Sequence, residues 1–505
     1  MNELDTRQLP SPLPQRFSLG ERVRERGLKN TSSPQPSPPA KSAGGEGAND
    51  TRTYMLRLFF FISLIIFGPT IFAWEDHAKL TSLVLNAWRE SDKSIASYLN
   101  QPVKPESLLQ FLQATKTSLP AKLLEIEQWA QHNEQGYQAI PTTILYQPSH
   151  ADCDSNLELC FKKSLRINLD VPLPFIIFDS LQHYLHRLGF IHVNDAHQLL
   201  PSYIPLTFNL SDFKLIPANA KVSRADVIAT ASMQPDFGLD TFLYENSNTA
   251  FGRQYGFGLQ PLGDVTLPFH SQMLFHMSAY HEDGRIASFI PRLQENYPEY
   301  RSFLYLNLSR FAAETNHPYW AAVFLGWGLH YIQDMTQPYH TKIAYGLDVN
   351  VVLKALQETA RKNDLPFFEL QMLEVNRHVL LERVTKAIIT TSVDRGLDKK
   401  ILVRGLVDRQ VDASIPPYRL DSLYLREEIS NLDAMNAPDY SAILQTTLPS
   451  RYVNSPEFSA EEITDYDALL SKEMTQTQRF QFSQAIAYSL ARYGVYTRAG
   501  VLAVR

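Results

Sequence analysis

The chain has 505 residues, 44% hydrophobic and 20% charged, which supplies a sizeable core and excludes wholesale disorder. Its 47 Lys+Arg and 53 Asp+Glu give a formal net charge of −6. A general nucleic-acid binder, which needs a strong basic surplus, is thereby disfavoured.

Residues 1–54 differ from the rest, with seven of the 31 prolines, in runs such as Leu9 to Pro14 and Pro34 to Pro39, and few aromatic side chains. Such a stretch buries too little apolar area to offset its ordering entropy, so it is expected to be a disordered extension ahead of a second start at Met55. Residues 55–73 have the layout of a secretory signal peptide: Arg57, an apolar run from Leu58 to Phe67, a break at Gly68 and Pro69, and Ala73 at the cleavage position. The run is shorter than the ~20 residues a spanning helix needs. A secreted or periplasmic protein beginning at Trp74 is therefore expected. Without residues 1–73 the chain keeps 38 Lys+Arg against 47 Asp+Glu, a net of −9.

From residue 76 to about 133 the period is helical, with Leu80, Leu83, Val84 and Ala87 on one face and Leu108, Leu109 and Leu112 opening another run. Residues 138–222 change texture, with many prolines and β-branched patches, and read as a loop-rich insertion with a helix near Phe178–Leu188. Cys153 and Cys160, with six residues between them, are the only cysteines and read as a small-loop disulfide in an exported chain. Next comes a turn presenting Asp236 after a helix end, then a helix opened at Phe275 and carrying His276 and His281. Helical signals dominate the remainder: Tyr297–Thr315, His317–Gln333, Ala355–Lys362, Gln371–Thr391 and Phe480–Leu490. The expected fold class is mainly α, one all-α domain over 74–505 with the 138–222 excursion.

The chemistry concentrates in the stretch from His330 to His340. Tyr319 to Gly328 is apolar nearly all round, as a buried helix should be. His330 and Asp334 follow four residues apart, hence on one face, Pro338 ends the helix, and His340 lies just beyond. A His–Asp pair hydrogen-bonded on a core helix gives the same spacing. The third group so close shifts the reading toward a divalent cation, because unpaired these groups cost several kcal/mol to bury. His378 and Glu382 form a second i, i+4 pair of the nitrogen and oxygen type that zinc prefers. His183, His186, His192 and His197 form a further, weaker imidazole cluster in the insertion.

Together these elements resemble one family, the zinc-dependent bacterial phospholipases C and the related fungal single-strand-specific nucleases. The resemblance rests on the order Trp74, His77, Asp236, His276, His330-x-x-x-Asp334, Pro338-x-His340 and His378-x-x-x-Glu382, about three-fifths of the chain. It implies an all-α domain holding three zinc ions. One would take Asp236, His276, His330 and Asp334, and a second His340, His378 and Glu382. The third would take the Trp74 α-amine and carbonyl with His77 and a shared Asp334. The spacing of Trp74 to His77 is shorter than the family's, and the Asp236–His276 and His340–His378 intervals are longer. Asp240 or Asp264 thus stands as an alternative to Asp236, and His281 to His276.

Such a cluster suits phosphodiester hydrolysis by a metal-activated water, with Asp236 as general base or water-orienting group. The expected activity is an exported phospholipase C acting on phospholipid, with peripheral contact to a membrane surface. Phe175, Ile176, Ile177, Phe178, Tyr184 and Leu185 would furnish apolar surface or simply core. A nuclease of the same fold is the alternative, disfavoured by the acidic balance. A non-enzymatic envelope protein with structural zinc is the other, disfavoured by a second site with three protein ligands and an open position.

Overall fold

The first helix among the described residues, α1 (His77–Ser91), lies against α2 (Arg224–Ala231), which starts where Ser223 caps it by accepting the Asp226 N–H at 3.1 Å. These belong to a computed structural model that describes residue 74 and residues 76–505, apart from 179–212, 218, 291, 393–397, 416–419, 421–423 and 461–462. All of them fall in one compact unit, Arg57–Arg505, and the architecture is mainly α. Further helices are α3 (Pro268–His276), α4 (Pro298–Glu314), α5 (Pro318–Asp334), α6 (Val349–Ala360), α7 (Leu365–Ser392), α8 (Asp398–Val407) and α9 (Gln476–Val504). No helix among the described residues is long and apolar enough to cross a membrane.

α5 is the axis of the fold. Every side chain from Tyr319 to Asp334 is buried, enclosed by α4, α2 and α9. Gly326 lets α2 approach, since a Cβ there would lie 2.4 Å from the Ala231 Cβ and 2.6 Å from the Ile228 carbonyl. One apolar core surrounds α4 and α5; a second gathers α7, α8 and α9 around Trp74, Tyr339 and Tyr345. The end of α5 lies where the two cores meet.

Among the described residues, strand content is confined to two antiparallel pairs. β1 (Pro102–Val103) pairs with β4 (Val222–Ser223), and β2 (Ile176–Phe178) pairs with β3 (Phe213–Leu215), Ile177 opposite Lys214. Of the helix expected near Phe178–Leu188, all but Phe178 lies outside the described residues; β-branched Ile176 and Ile177 lead into Phe178 as an extended strand. Its side chains are buried, so they serve as core and offer no lipid-facing surface. Tyr184 and Leu185 lie outside the described residues, as do the four insertion histidines, the 1–54 extension and the 55–73 segment. Cys153 and Cys160 form a disulfide with Cα atoms 5.2 Å apart.

Candidate metal centre

Six segments deliver polar side chains to the end of α5. That helix is apolar on all sides as far as Leu329, so its last turn is carried into the interior with His330, Gln333 and Asp334 fully buried. α1 opens with His77, and a 3₁₀ turn after α2 (Gln234–Phe237) presents Asp236. α3 ends on His276, a second 3₁₀ turn (Pro338–His340) supplies His340, and α7 carries His378 and Glu382 one turn apart.

Three groups of ligand atoms result, each within 4.8 Å: His77 with His330 and Asp334; Asp236 with His276 and His330; His340 with His378 and Glu382. His77 Nε2 stands 3.0 Å from Asp334 Oδ1. His330 Nε2 lies 2.9 Å from His276 Nδ1, and Asp334 Oδ2 is 2.9 Å from the latter and 3.3 Å from the former. Asp236 Oδ1 faces the same two nitrogens at 3.6 and 3.8 Å. In the third group His378 Nε2 is 2.8 Å from Glu382 Oε1, which also accepts from Gln337 at 2.7 Å. Tyr339 stacks on the His378 ring, centroids 5.5 Å apart.

The outer nitrogens of three imidazoles are anchored to acceptors, and that of a fourth faces a carboxylate. His330 Nδ1 donates to the Ser232 carbonyl at 2.8 Å and His340 Nδ1 to the His276 carbonyl at 2.9 Å. His77 Nδ1 donates to Gln333 Oε1 at 2.8 Å, the amide being fixed because its NH₂ donates to Thr81 and Thr497. His276 Nε2 faces Asp240 Oδ2 at 3.5 Å, and Asp240 is held by Arg301 at 2.7 Å and the Tyr331 hydroxyl at 2.5 Å. These partners fix each ring and aim its other nitrogen inward, as carboxylate and carbonyl partners do behind metal ligands.

Some inward atoms hydrogen-bond to one another, but not all are satisfied. Both oxygens of Asp236, Asp334 Oδ1 and His77 Nε2 are buried without a hydrogen-bond partner. Several lone pairs thus point into one dry space, an arrangement that costs several kcal/mol unless cations occupy it. The donor set of imidazole nitrogens and carboxylate oxygens fits a metal ion.

The electrostatics follow from the same enclosure. Burial pushes the Asp236 carboxyl up against the opposing pull of His330, His77 and His276. Burial also opposes ionisation of Asp334, yet His330 and hydrogen bonds from the imidazoles hold it well below the usual carboxylate range. Burial acts against a charged His330, but Asp334 and Asp236 outweigh it and raise this imidazole to about 9. His340 is pushed down to about 4 and His378 well below its ordinary value, both by burial first. These two are neutral imidazoles near pH 7, the form that binds metal.

Eight of the nine expected ligand residues therefore converge through their side chains. Trp74 lies in the same wall: its indole is buried, donates to Thr336 Oγ1 at 3.3 Å and meets the Tyr493 ring edge-on. Asp264 instead accepts from Thr266 and offers its own N–H to His270, outside the three groups. His281 hydrogen-bonds with Ser430 at 2.7 Å, also outside them. Its expected place early in a helix is corrected: α3 ends at His276, where Met277 turns extended, and His281 closes a separate 3₁₀ turn. Asp240 stands behind His276 as a support. Gln333, Ser232, Arg301 and Tyr331 were missed by sequence reasoning. The available signal was a polar residue inside an otherwise apolar helix, as with Gln333 in α5; Arg301 lies in a helix of mixed polarity and gave none.

No protein-family model, curated protein or solved structure matches the chain. Fold and site define a mainly α protein with a buried His/carboxylate cluster suited to metal ions.

Proposed function

We propose that the protein is an exported zinc-dependent phosphodiesterase of the phospholipase C type, holding three zinc ions and acting on phospholipid. The observation that carries this reading is the contiguity of the three ligand groups. His330 is common to two of them, and His340 is tied to His276 through the backbone carbonyl. Bound there, zinc supplies Lewis acidity toward phosphoryl oxygens and lowers the pKa of water toward neutrality.

The chain's own residues do the rest. Asp236, buried and with both oxygens unpartnered, is placed to orient the attacking water and take its proton. Gln333, Ser232 and the His276 carbonyl hold three of the imidazoles in one tautomer, so the site needs little reorganisation. Glu382 is oriented by Gln337, whose own carbonyl accepts the Tyr339 N–H. Export with cleavage before Trp74 belongs to this reading and is supported by the Cys153–Cys160 disulfide.

The test is metal analysis of the purified chain together with turnover of p-nitrophenylphosphocholine, run beside single-stranded DNA. Bound zinc with ester cleavage is expected. Zinc without turnover of either substrate would leave a structural site, and preferential cleavage of DNA would make the protein a nuclease.

A further inference from the structure

Beside the third ligand group lies a cavity of ≈ 130 Å³ whose wall is almost entirely hydrocarbon. α3 contributes Phe269 and Met273, the chain after it Met277, the 342–347 loop Ile343, and the first turn of α7 Phe367. His378 and Tyr339 complete the wall, so the space abuts an imidazole that the metal reading makes a ligand.

The polar side chains around it are His270, Lys342, Gln371 and Glu374, few against the apolar lining. His270 accepts the Asp264 N–H at 2.8 Å, and Glu374 pairs with Arg377 at 3.2 Å. A peptide or a nucleotide would leave donors and acceptors unmatched against such a wall. A hydrocarbon chain has none to match, and the flexible thioethers of Met273 and Met277 adapt to its shape.

We propose that this cavity takes one acyl chain of the substrate, seated so that the phosphodiester lies at the His340–His378–Glu382 group. This rests on the phosphodiesterase reading and adds to it that the enzyme selects by chain length.

Two measurements separate the two claims. The first is binding of dansylaminoundecanoic acid to the purified full chain, which needs no turnover. Met273→Trp and Ile343→Trp, each filling the cavity from a different element, should weaken it tenfold or more, as about two to three methylenes of lost burial would. Unchanged binding in both variants overturns the acyl assignment whether or not any ester is cleaved. The second is KM along a series of monomeric phosphocholine esters of rising acyl length. It should fall about fourfold per methylene until the cavity is filled and then level off. Phosphodiesters cleaved with a KM indifferent to chain length would overturn the assignment and leave the hydrolase reading intact. Tightening by a dinucleotide in place of the acyl chain would assign the cavity to a base and overturn it as well.

Discussion

His330 is the side chain common to two ligand groups and the one whose loss does most. His330→Ala leaves Asp236 and Asp334 facing each other without the imidazole that offsets their charge. Bound zinc and turnover should both fall, by more than the about 10–100-fold typical of losing a supporting partner. Metal analysis after dialysis and a rate on one ester check this, and a variant with full zinc and full rate would remove the basis of the centre. Asp240 makes a subtler case. It touches His276 only at the outer nitrogen and is itself gripped by Arg301 and Tyr331. Asp240→Asn keeps the shape and removes the charge behind the ring. Zinc affinity measured against a competing chelator should drop about 10–100-fold, and stability should fall as well because buried Arg301 loses its counter-charge. An unchanged affinity would mean that the Ser232 and Gln333 contacts suffice.

Among the helices, α4 carries a buried carboxyl with a measurable consequence. Glu299, in its first turn, accepts from Ser278 at 3.3 Å and is pushed up to about 8 by burial, with Arg426 pulling the other way. Between an unfolded value near 4.5 and the folded value of about 8, the native state holds a proton that the unfolded chain has released. The stabilisation is complete below pH 4.5 and is lost as pH rises through 8, roughly 5 kcal/mol in all. Urea midpoints should therefore decline across that window in the parent chain and by a smaller amount in Glu299→Gln, where Glu374, likewise pushed up to about 8 by burial, still titrates. Parallel declines would locate the titration elsewhere.

Elements of this kind differ in how far a sequence exposes them. α5 was legible because its apolar run and its His330/Asp334 pair are local signals. α9 runs from Gln476 to Val504, far beyond the expected Phe480–Leu490. Its second half is buried on all sides and keeps no amphipathic period, with Arg492 paired to Asp433 and Arg498 to Asp412. The His77–Asp334 meeting joins residues 257 positions apart, so only the family resemblance suggested it. The acyl cavity was illegible, since Phe269, Ile343 and Phe367 come from separate segments and each reads as ordinary core.

At the scale of the whole molecule, the reading makes activity depend on where the chain begins. Trp74 is anchored by the Thr336 contact, two residues past Asp334, and by the Tyr493 edge, and His77 follows three residues on. The backbone at position 74 is thereby held in the wall that carries His77 and Asp334. A peptide nitrogen at that position is a very poor ligand, whereas a free α-amine ligates once its proton is gone. The unperturbed amine has a pKa of about 7.7–8.0, so metal binding must displace that proton and should strengthen as pH rises toward 8. Chains starting at Trp74 should then bind one more zinc ion than chains carrying Ala73 ahead of it and turn over at least about tenfold faster. Helix content and the Cys153–Cys160 bridge should be the same in both, because neither involves the terminus. Metal stoichiometry by mass spectrometry and a single rate comparison decide the point. Equal zinc and equal rates would remove Trp74 from the ligand set and leave the three side-chain groups to account for all bound metal.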